Sequence, residues 1–353
     1  MAEGAPLASD VAAIADGIGE TAKQFSGQTV LISGGRGFLG RYFTAAFARM
    51  NETLLERPAK VIVLDNLITA GAAGAGGDDG SHEYHRHDII QPFRYDQPIG
   101  FILHMAGIAS PYYYRKYPLE TLEVATTGTK NMLELAREHR ARFLFFSSSE
   151  IYGDPDPRHV PTPESYRGNV SCLGPRACYD ESKRLGETLS RIYHDHYGVE
   201  TKIVRPFNVY GPGMQETDYR VLPNFASRIV GNRPLHVYGS GNQTRTFCYV
   251  TDAIVGFLLT LVDGIPGEAY NIGNSRPEVS MLDLVGCIEH VLGRPVAVEK
   301  IEYPDSYPAD EPIRRCPDLT KARLQLGFEP KVELPDGLAR FFGWARTAYT
   351  GKE

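Results

Sequence analysis

The sequence predicts an α/β protein, a doubly wound parallel sheet joined to a smaller C-terminal substrate-binding domain. Three observations predict it. Apolar, β-branched runs of strand length alternate with stretches of helical periodicity up to about Gly211. The first run ends in glycines, Gly34-Gly35-Arg36-Gly37-Phe38-Leu39-Gly40, that open a helix. The second ends in a carboxylate, Asp65. The chain has 353 residues, 42% of them hydrophobic, enough for one large body or two small domains.

The elements follow in order. Leu7, Val11, Ile14 and Ile18 recur at helical spacing, so residues 1–26 form a helical arm laid on the body or on a partner. TVLISGG (29–35) is a strand running into glycines, and a helix continues through Arg41–Met50. KVIVLDN (60–66) is the second strand, and GAAGAGGDDG (71–80) is a flexible loop. YHRHDII, FILHMAG and RFLFFSSSE read as short buried strands, with the helix TLEVATTGTKNMLELAREH before the last of them. TKIVRPFNVYG (201–211) is another strand. Beyond Gly211, Pro, Gly, Tyr and charged residues rise and the elements shorten. The expected organisation is an arm over 1–26, a Rossmann-type nucleotide domain over 27–205, and a mainly substrate-binding domain over 206–345. A segment near 247–274 returns to the first body.

Composition excludes several function classes. A net charge of -6 argues against nucleic acid as the main partner. No apolar run approaches the roughly 20 residues of a membrane span, and the first residues lack a basic-then-apolar leader. Cys172, Cys178, Cys248, Cys287 and Cys316 form no CxxC pair, which suggests reduced thiols, a cytoplasmic location and no structural zinc. His82, His85 and His87 share one polar segment that reads as surface rather than as a metal site.

The glycine run contains G-x-x-G-x-x-G in the strand-to-helix setting that a dinucleotide fingerprint requires. Gly34 allows the tight turn, Gly37 a close backbone approach to pyrophosphate, and Gly40 close packing of helix on strand. The helix start at Phe38 and Leu39 offers free N–H groups to phosphate. A plain tight turn would need glycines too. Asp65, with Asn66, can accept ribose hydroxyls, which favours NAD over NADP because a 2′-phosphate would meet a negative charge. Arg36 is the counter-argument. Asp88 and Ile89, after another strand, are placed to contact adenine, although a strand-end turn explains Asp88 equally well. Ala106, after FILHM, completes the expected cofactor wall.

Tyr179 and Lys183 stand four apart, on one helix face. An ammonium beside a phenol favours the phenolate and lowers a pKa that is about 10 in water. Such a phenol can take a proton from a sugar hydroxyl while a nicotinamide takes the hydride. Ser147-Ser148-Ser149-Glu150 ends a strand, where side chains point into the ligand crevice of a doubly wound sheet. Hydroxyls there can orient a sugar or a carboxylate, and Glu150 can move a proton at carbon. An ordinary polar strand exit is the plainer alternative.

SSSEIYGDP, GPRACYDESKR, RPFNVYGPGM, VYGSGNQTRTFCYV and DEPIRRCPDLTKA then mark a resemblance. From about Gly27 to Phe342 the chain resembles the extended short-chain dehydrogenase/reductases of the NAD-dependent epimerase/dehydratase family, and within it the UDP-glucuronate decarboxylase branch. The resemblance implies a nucleotide-sugar substrate, NAD and a homodimer built on helices around Thr121–His139 and Ala177–Tyr197. It makes Tyr179 the base on the 4-hydroxyl, with Lys183 holding the nicotinamide ribose. Ser148, Ser149 and Glu150 would contact the reacting sugar, and Arg315 its carboxylate or C5. Arg205 and Asn208 would line the nicotinamide and diphosphate, Arg245 would bind diphosphate, and Asn224 and Tyr238 the base and ribose. For Arg205, Arg245 and Arg315 a structural salt bridge is the alternative.

Some residues depart from the family pattern. Gly107-Ile108 stands where Ser-Pro is usual, and Tyr112, Tyr113, Tyr114 and Arg115 crowd the expected sugar pocket. Ser148 replaces threonine and Cys316 a lysine. A 4,6-dehydratase would need an aspartate where Ser149 stands, and a 4-epimerase has no use for a proton carrier at C5. Release of a 4-ketopentose, rearrangement to a branched pentose and a non-catalytic NAD sensor remain as alternatives.

Overall fold

The structure, a computed structural model, describes residues 6–69, 80–303 and 312–351. Its centre is a seven-stranded parallel sheet. The strands are β1 (Thr29–Ser33), β2 (Lys60–Asp65), β3 (Glu83–Arg86), β4 (Phe101–His104), β5 (Arg142–Phe146), β6 (Thr201–Pro206) and a last strand, Ala269–Ile272. The order across the sheet is β3-β2-β1-β4-β5-β6 and then the last strand. The order reverses between β1 and β4, so a crevice opens there at the carboxyl ends of the strands.

Strand side chains alternate between two cores because successive residues point to opposite faces. Val30, Ile32, Val61, Val63, Leu103 and Leu144 enter one core with Phe43, Phe47 and Phe257. Leu31, Ile62, Leu64, Ile102, Phe143 and Phe145 enter the other with Met132, Leu133 and Ala136. Both faces are therefore covered by helices, and the strands are near-continuous apolar runs for that reason.

The chain leaves the sheet after β6 and returns with the helix Val250–Asp263 and the strand Ala269–Ile272, which pairs with β6. Smaller sheets lie outside the main one: Val279–Ser280, Thr244–Arg245 and Arg314–Arg315 form three strands, and Leu235–Tyr238 pairs with Val298–Ile301. They are followed by the terminal helix Leu334–Ala348. The glycine loop expected over 71–80 lies outside the described residues except for Gly80.

The first helix, Ala8–Ile18, is packed on the body rather than extended toward a partner. Ile14, Ala15 and Ile18 are buried, and Phe25, in the following turn, is wedged against Phe47 and Phe101 with ring centroids at 5.1 and 4.7 Å. Buried Asp10 accepts hydrogen bonds from the hydroxyls of Tyr249 (2.7 Å) and Tyr42 (3.3 Å) and pairs with Arg340. The apolar stripe is thus taken up by this chain's own core, the first of the two placements its spacing allowed.

Candidate active site

A crevice of about 350 Å³ lies over the switch point. Its cofactor end is built by close backbone approach. Gly34 has φ +76°, and a Cβ there would sit 2.8 Å from the Cα of Ala106, so β1 and β4 can splay at the crevice only with glycine in that place. A Cβ on Gly40 would lie 2.4 Å from the Cα of Gly35, which shows how tightly the helix Phe38–Thr53 meets the loop. Gly37 is the N-cap of that helix and offers no side-chain acceptor to its first N–H groups. Gly34, Gly37, Phe38, Leu39, Gly40, Asp65, Asn66, Asp88, Ile89 and Ala106 all line the crevice.

The two carboxylates at this end are held by backbone. Asp65 accepts from the N–H of Leu67 (2.8 Å) and of Arg36 (2.9 Å). Burial still raises its pKa, because the lost solvation outweighs these bonds. Asp88 accepts from the side chain of Asn66 at 2.9 Å and from the Ile90 N–H at 3.1 Å. The Arg36 guanidinium lies over the Tyr84 ring, 4.4 Å from its centroid. A glycine cradle, an open helix start and a ribose-facing carboxylate fit NAD.

Ser148, Ser149, Glu150, Tyr179, Lys183, Asn208 and Arg315 line the other half. Tyr179 is stacked on buried Tyr114, with centroids 5.3 Å apart and planes at 12°. Here one expectation is corrected. Lys183 does not lower the phenol; burial pushes Tyr179 up to about 12, with the Ser148 hydroxyl and Arg220 pulling the other way. The Lys183 ammonium donates to the Phe146 carbonyl at 2.8 Å, its nitrogen is 5.8 Å from the Tyr179 ring centroid, and burial draws it down to about 8. Behind it, His104 bridges Ser33 (2.7 Å) and Thr129 (2.8 Å) and is held neutral, its pKa lowered to about 3 by burial and by Lys183.

Glu150 is also corrected as a proton carrier. Both of its oxygens are held by Arg315 at 2.6 Å, and Oε2 accepts from Arg176 as well. The two guanidiniums hold its carboxyl down at about 2 despite burial, so it stays ionised and acts by anchoring Arg315.

Other residues expected at the site lie outside the crevice lining. Arg205 is bidentate to Glu187 (2.9 and 2.6 Å) and also donates to Tyr152 and to the Glu164 carbonyl, so it serves the fold and not the nicotinamide. Arg115 turns back onto the Pro111 carbonyl of its own helix at 3.0 Å, and the pocket receives Tyr113 instead. Asn224 lies in the helix Val221–Val230, Tyr238 stacks on Tyr303 at 5.5 Å, and Arg245 donates to the carbonyls of Thr244 and Ile313. Asn208, by contrast, does line the crevice; it has φ +41° and donates to the Thr246 carbonyl at 2.8 Å.

Sequence reasoning passed over Arg176, Asp180 and Arg220. The first two lie inside the GPRACYDESKR segment already read for its Tyr-x-x-x-Lys pair. Arg220 is bidentate to Asp218 (3.0 and 2.5 Å), and both line the crevice. Among the described residues no helix is long and apolar enough to cross a membrane, and no cluster of ligands suits a metal ion.

With this geometry in place, comparison with known proteins is informative. Residues 30–273 match the NAD dependent epimerase/dehydratase family. The chain is 39% identical over 315 residues to UDP-glucuronic acid decarboxylase 5 of Arabidopsis thaliana, covering 89% of this chain and 88% of that one. It is 38% identical to UDP-glucuronic acid decarboxylase 1 of Xenopus tropicalis, covering 90% of this chain and 72% of that one. Among solved structures it resembles the NAD-bound dTDP-glucose 4,6-dehydratase of Streptomyces venezuelae, with TM-score 0.79 and 28% identity over 91% of this chain and 97% of that one.

Proposed function

We infer, from the premise that this chain belongs to the NAD dependent epimerase/dehydratase family, that it is an NAD-dependent carboxy-lyase converting UDP-glucuronate to UDP-xylose. The observation that carries the reading is Arg315, brought across from the C-terminal domain and set bidentate on Glu150 at the sugar end of the crevice. Beyond the two N–H groups given to Glu150, the guanidinium keeps its Nε–H and one N–H on each Nη, and donors at that point suit a sugar carboxylate.

NAD, which Gly34, Gly37 and Asp65 would hold, would supply the hydride acceptor for C4 and the donor for its final reduction. The chain's own residues do the rest. Tyr179 takes the proton of the 4-hydroxyl as C4 is oxidised, with the Ser148 hydroxyl and the Arg220 guanidinium favouring the phenolate in a buried setting. The resulting ketone lies β to the C6 carboxylate, so the electrons of the breaking C5–C6 bond flow into an enolate. Tyr179 returns its proton to that enolate oxygen; C5 then takes a proton from solvent as the enol hydroxyl gives its own back to Tyr179, which finally donates it to O4 when C4 is reduced. Ser148 and Ser149 orient the sugar, and Glu150 fixes Arg315 through the sequence of steps. The reaction is redox-neutral overall.

A 4,6-dehydratase is disfavoured, because Ser149 is too weak an acid for a departing C6 hydroxyl. The same proposal includes a homodimer in the cytoplasm. Exposed Leu185, Ile192 and Tyr197 on the helix Ala177–Tyr197 support pairing through that helix. Sedimentation at equilibrium would detect a monomer and remove the dimer.

The test is incubation with UDP-glucuronate and catalytic NAD, followed by proton NMR. UDP-xylose growing as the C5 substituent is lost supports the reading. UDP-galacturonate would replace it with a 4-epimerase, and stoichiometric NADH with a 4-ketopentose would mean early release.

A further inference from the structure

Four charged groups from three places in the chain meet beside the sugar end of the crevice. Glu150 comes from the turn after β5, Arg315 from the strand Arg314–Arg315, Arg176 from the residue before the helix Ala177–Tyr197, and Asp180 from its first turn. Arg176 is shared. Its Nη2 donates to Glu150, and its Nε stands 3.7 Å from Asp180 Oδ2, too far for a full hydrogen bond. Asp180 is buried, and its Oδ1 has no hydrogen-bond partner among the described residues. A carboxylate so placed is half satisfied, and the lost solvation is not made good.

The mechanism above gives Asp180 no task. Its surroundings suggest one. Glu150 and Asp180 already share Arg176 and Arg315. Arg245 adds positive field on Glu150. The sugar carboxylate is then an extra negative charge arriving in a site with little solvent.

We propose that Asp180 is a proton-holding residue that takes up one proton from solvent when the C6 carboxylate of UDP-glucuronate docks on Arg315, and gives it back when that carboxylate has left as CO2. This rests on the substrate reading above. The proton is additional to the one that C5 acquires, and no bond of the substrate is made or broken by it. Asp180 acts through Arg176: once neutral, it no longer competes for that guanidinium, which is free to follow Glu150 and the substrate. The groups that face Asp180 are consistent with a proton close at hand. Burial, Glu150 and neighbouring Glu181 favour the neutral acid, Arg176 and Arg315 oppose them, and the balance leaves Asp180 at about 7. Tyr179 and Cys178, on its own helix, feel the same charge.

UDP-xylose is the matched control, since it differs from UDP-glucuronate only in lacking the carboxylate. Titration calorimetry of NADH-loaded enzyme, in buffers of different ionisation enthalpy, counts protons while turnover is blocked. The expected result at pH 7.5 to 8 is proton uptake with UDP-glucuronate in excess of that with UDP-xylose, and no excess in Asp180→Asn. In parallel, the affinity ratio of UDP-glucuronate to UDP-xylose for the unaltered enzyme should fall as pH rises from 7 to 9, approaching about tenfold per unit. Equal uptake for the two ligands, or an excess that persists in Asp180→Asn, overturns the proposal. Should Asp180→Asn fail to fold, a flat affinity ratio across that pH range overturns it alone. If UDP-glucuronate neither binds the NADH form nor is decarboxylated by the NAD form, it is the substrate assignment that falls. Binding and turnover without the proton difference remove only the role of Asp180.

Discussion

Replacing Lys183 with methionine should make the cofactor-free protein more stable while abolishing turnover. Burial lowers this ammonium from 10.5 to about 8. A depressed lysine is charged at a cost in the folded state, and the cost is complete below the folded pKa and vanishes above the unfolded one. The shift corresponds to about 3 kcal/mol of destabilisation at pH 7, falling to about 1.5 kcal/mol at pH 9.5. Methionine keeps most of the volume and removes the charge, but it also removes the bond to the Phe146 carbonyl at 2.8 Å, worth about 1 kcal/mol. The net gain is about 2 kcal/mol at pH 7 and close to nothing at pH 9.5. For 353 residues the unfolding entropy makes that about 3 °C in Tm. Thermal unfolding followed by circular dichroism at the two pH values, with NAD stripped from both proteins, is the assay. A variant less stable at pH 7, or a difference that does not shrink with rising pH, would refute the claim that desolvation dominates at Lys183.

Further outcomes follow from the same geometry. Gly34→Ala should weaken NAD binding at least tenfold by fluorescence titration, since the residue must keep φ +76° with its new methyl 2.8 Å from a backbone carbon; unchanged affinity would mean the loop relaxes freely. Arg205→Ala leaves half-buried Glu187 with Ser147 but without its bidentate partner and should cost about 2 to 3 kcal/mol in denaturant unfolding, with KM for the sugar unchanged in the folded fraction. Arg315→Lys keeps the charge but loses the fork on Glu150, so kcat/KM for UDP-glucuronate should fall about 100-fold while UDP-xylose affinity holds in direct binding assays.

Much of this was legible in the sequence because it depends on local pattern. β1 and β2 end where their glycines and Asp65 end them, and the two-sided apolar runs announce a sheet buried on both faces. The crevice residues adjoining strand ends, from Gly34 to Glu150, were readable for the same reason. What escaped was pairing over long separations. Arg205 and Arg315 look alike as sequence, each an arginine in a short β-prone run. One meets Glu187 on the helix Ala177–Tyr197 and the other meets Glu150 in the turn after β5. Ionisation was hidden too. Four-residue spacing puts Lys183 beside Tyr179, but only burial shows that desolvation and the Phe146 carbonyl outweigh the proximity. Arg176 and Asp180 carried no motif of their own, and only the folded turn brings them to Glu150.

The bonds of Asp10 have a consequence for how the chain is made. Its partners Tyr249 and Arg340 lie 239 and 330 residues further on. During synthesis two of the acid's three partners, and the helix Val250–Asp263 on which the first helix packs, are therefore made long after Asp10 itself, with only Tyr42 near at hand. Contacts of such long range close late, since the intervening chain must be ordered before they form. The opening segment of the sequence is thus expected to be among the last to settle. Hydrogen exchange during refolding should find amides 10–18 protected after those of β1, β4 and β5.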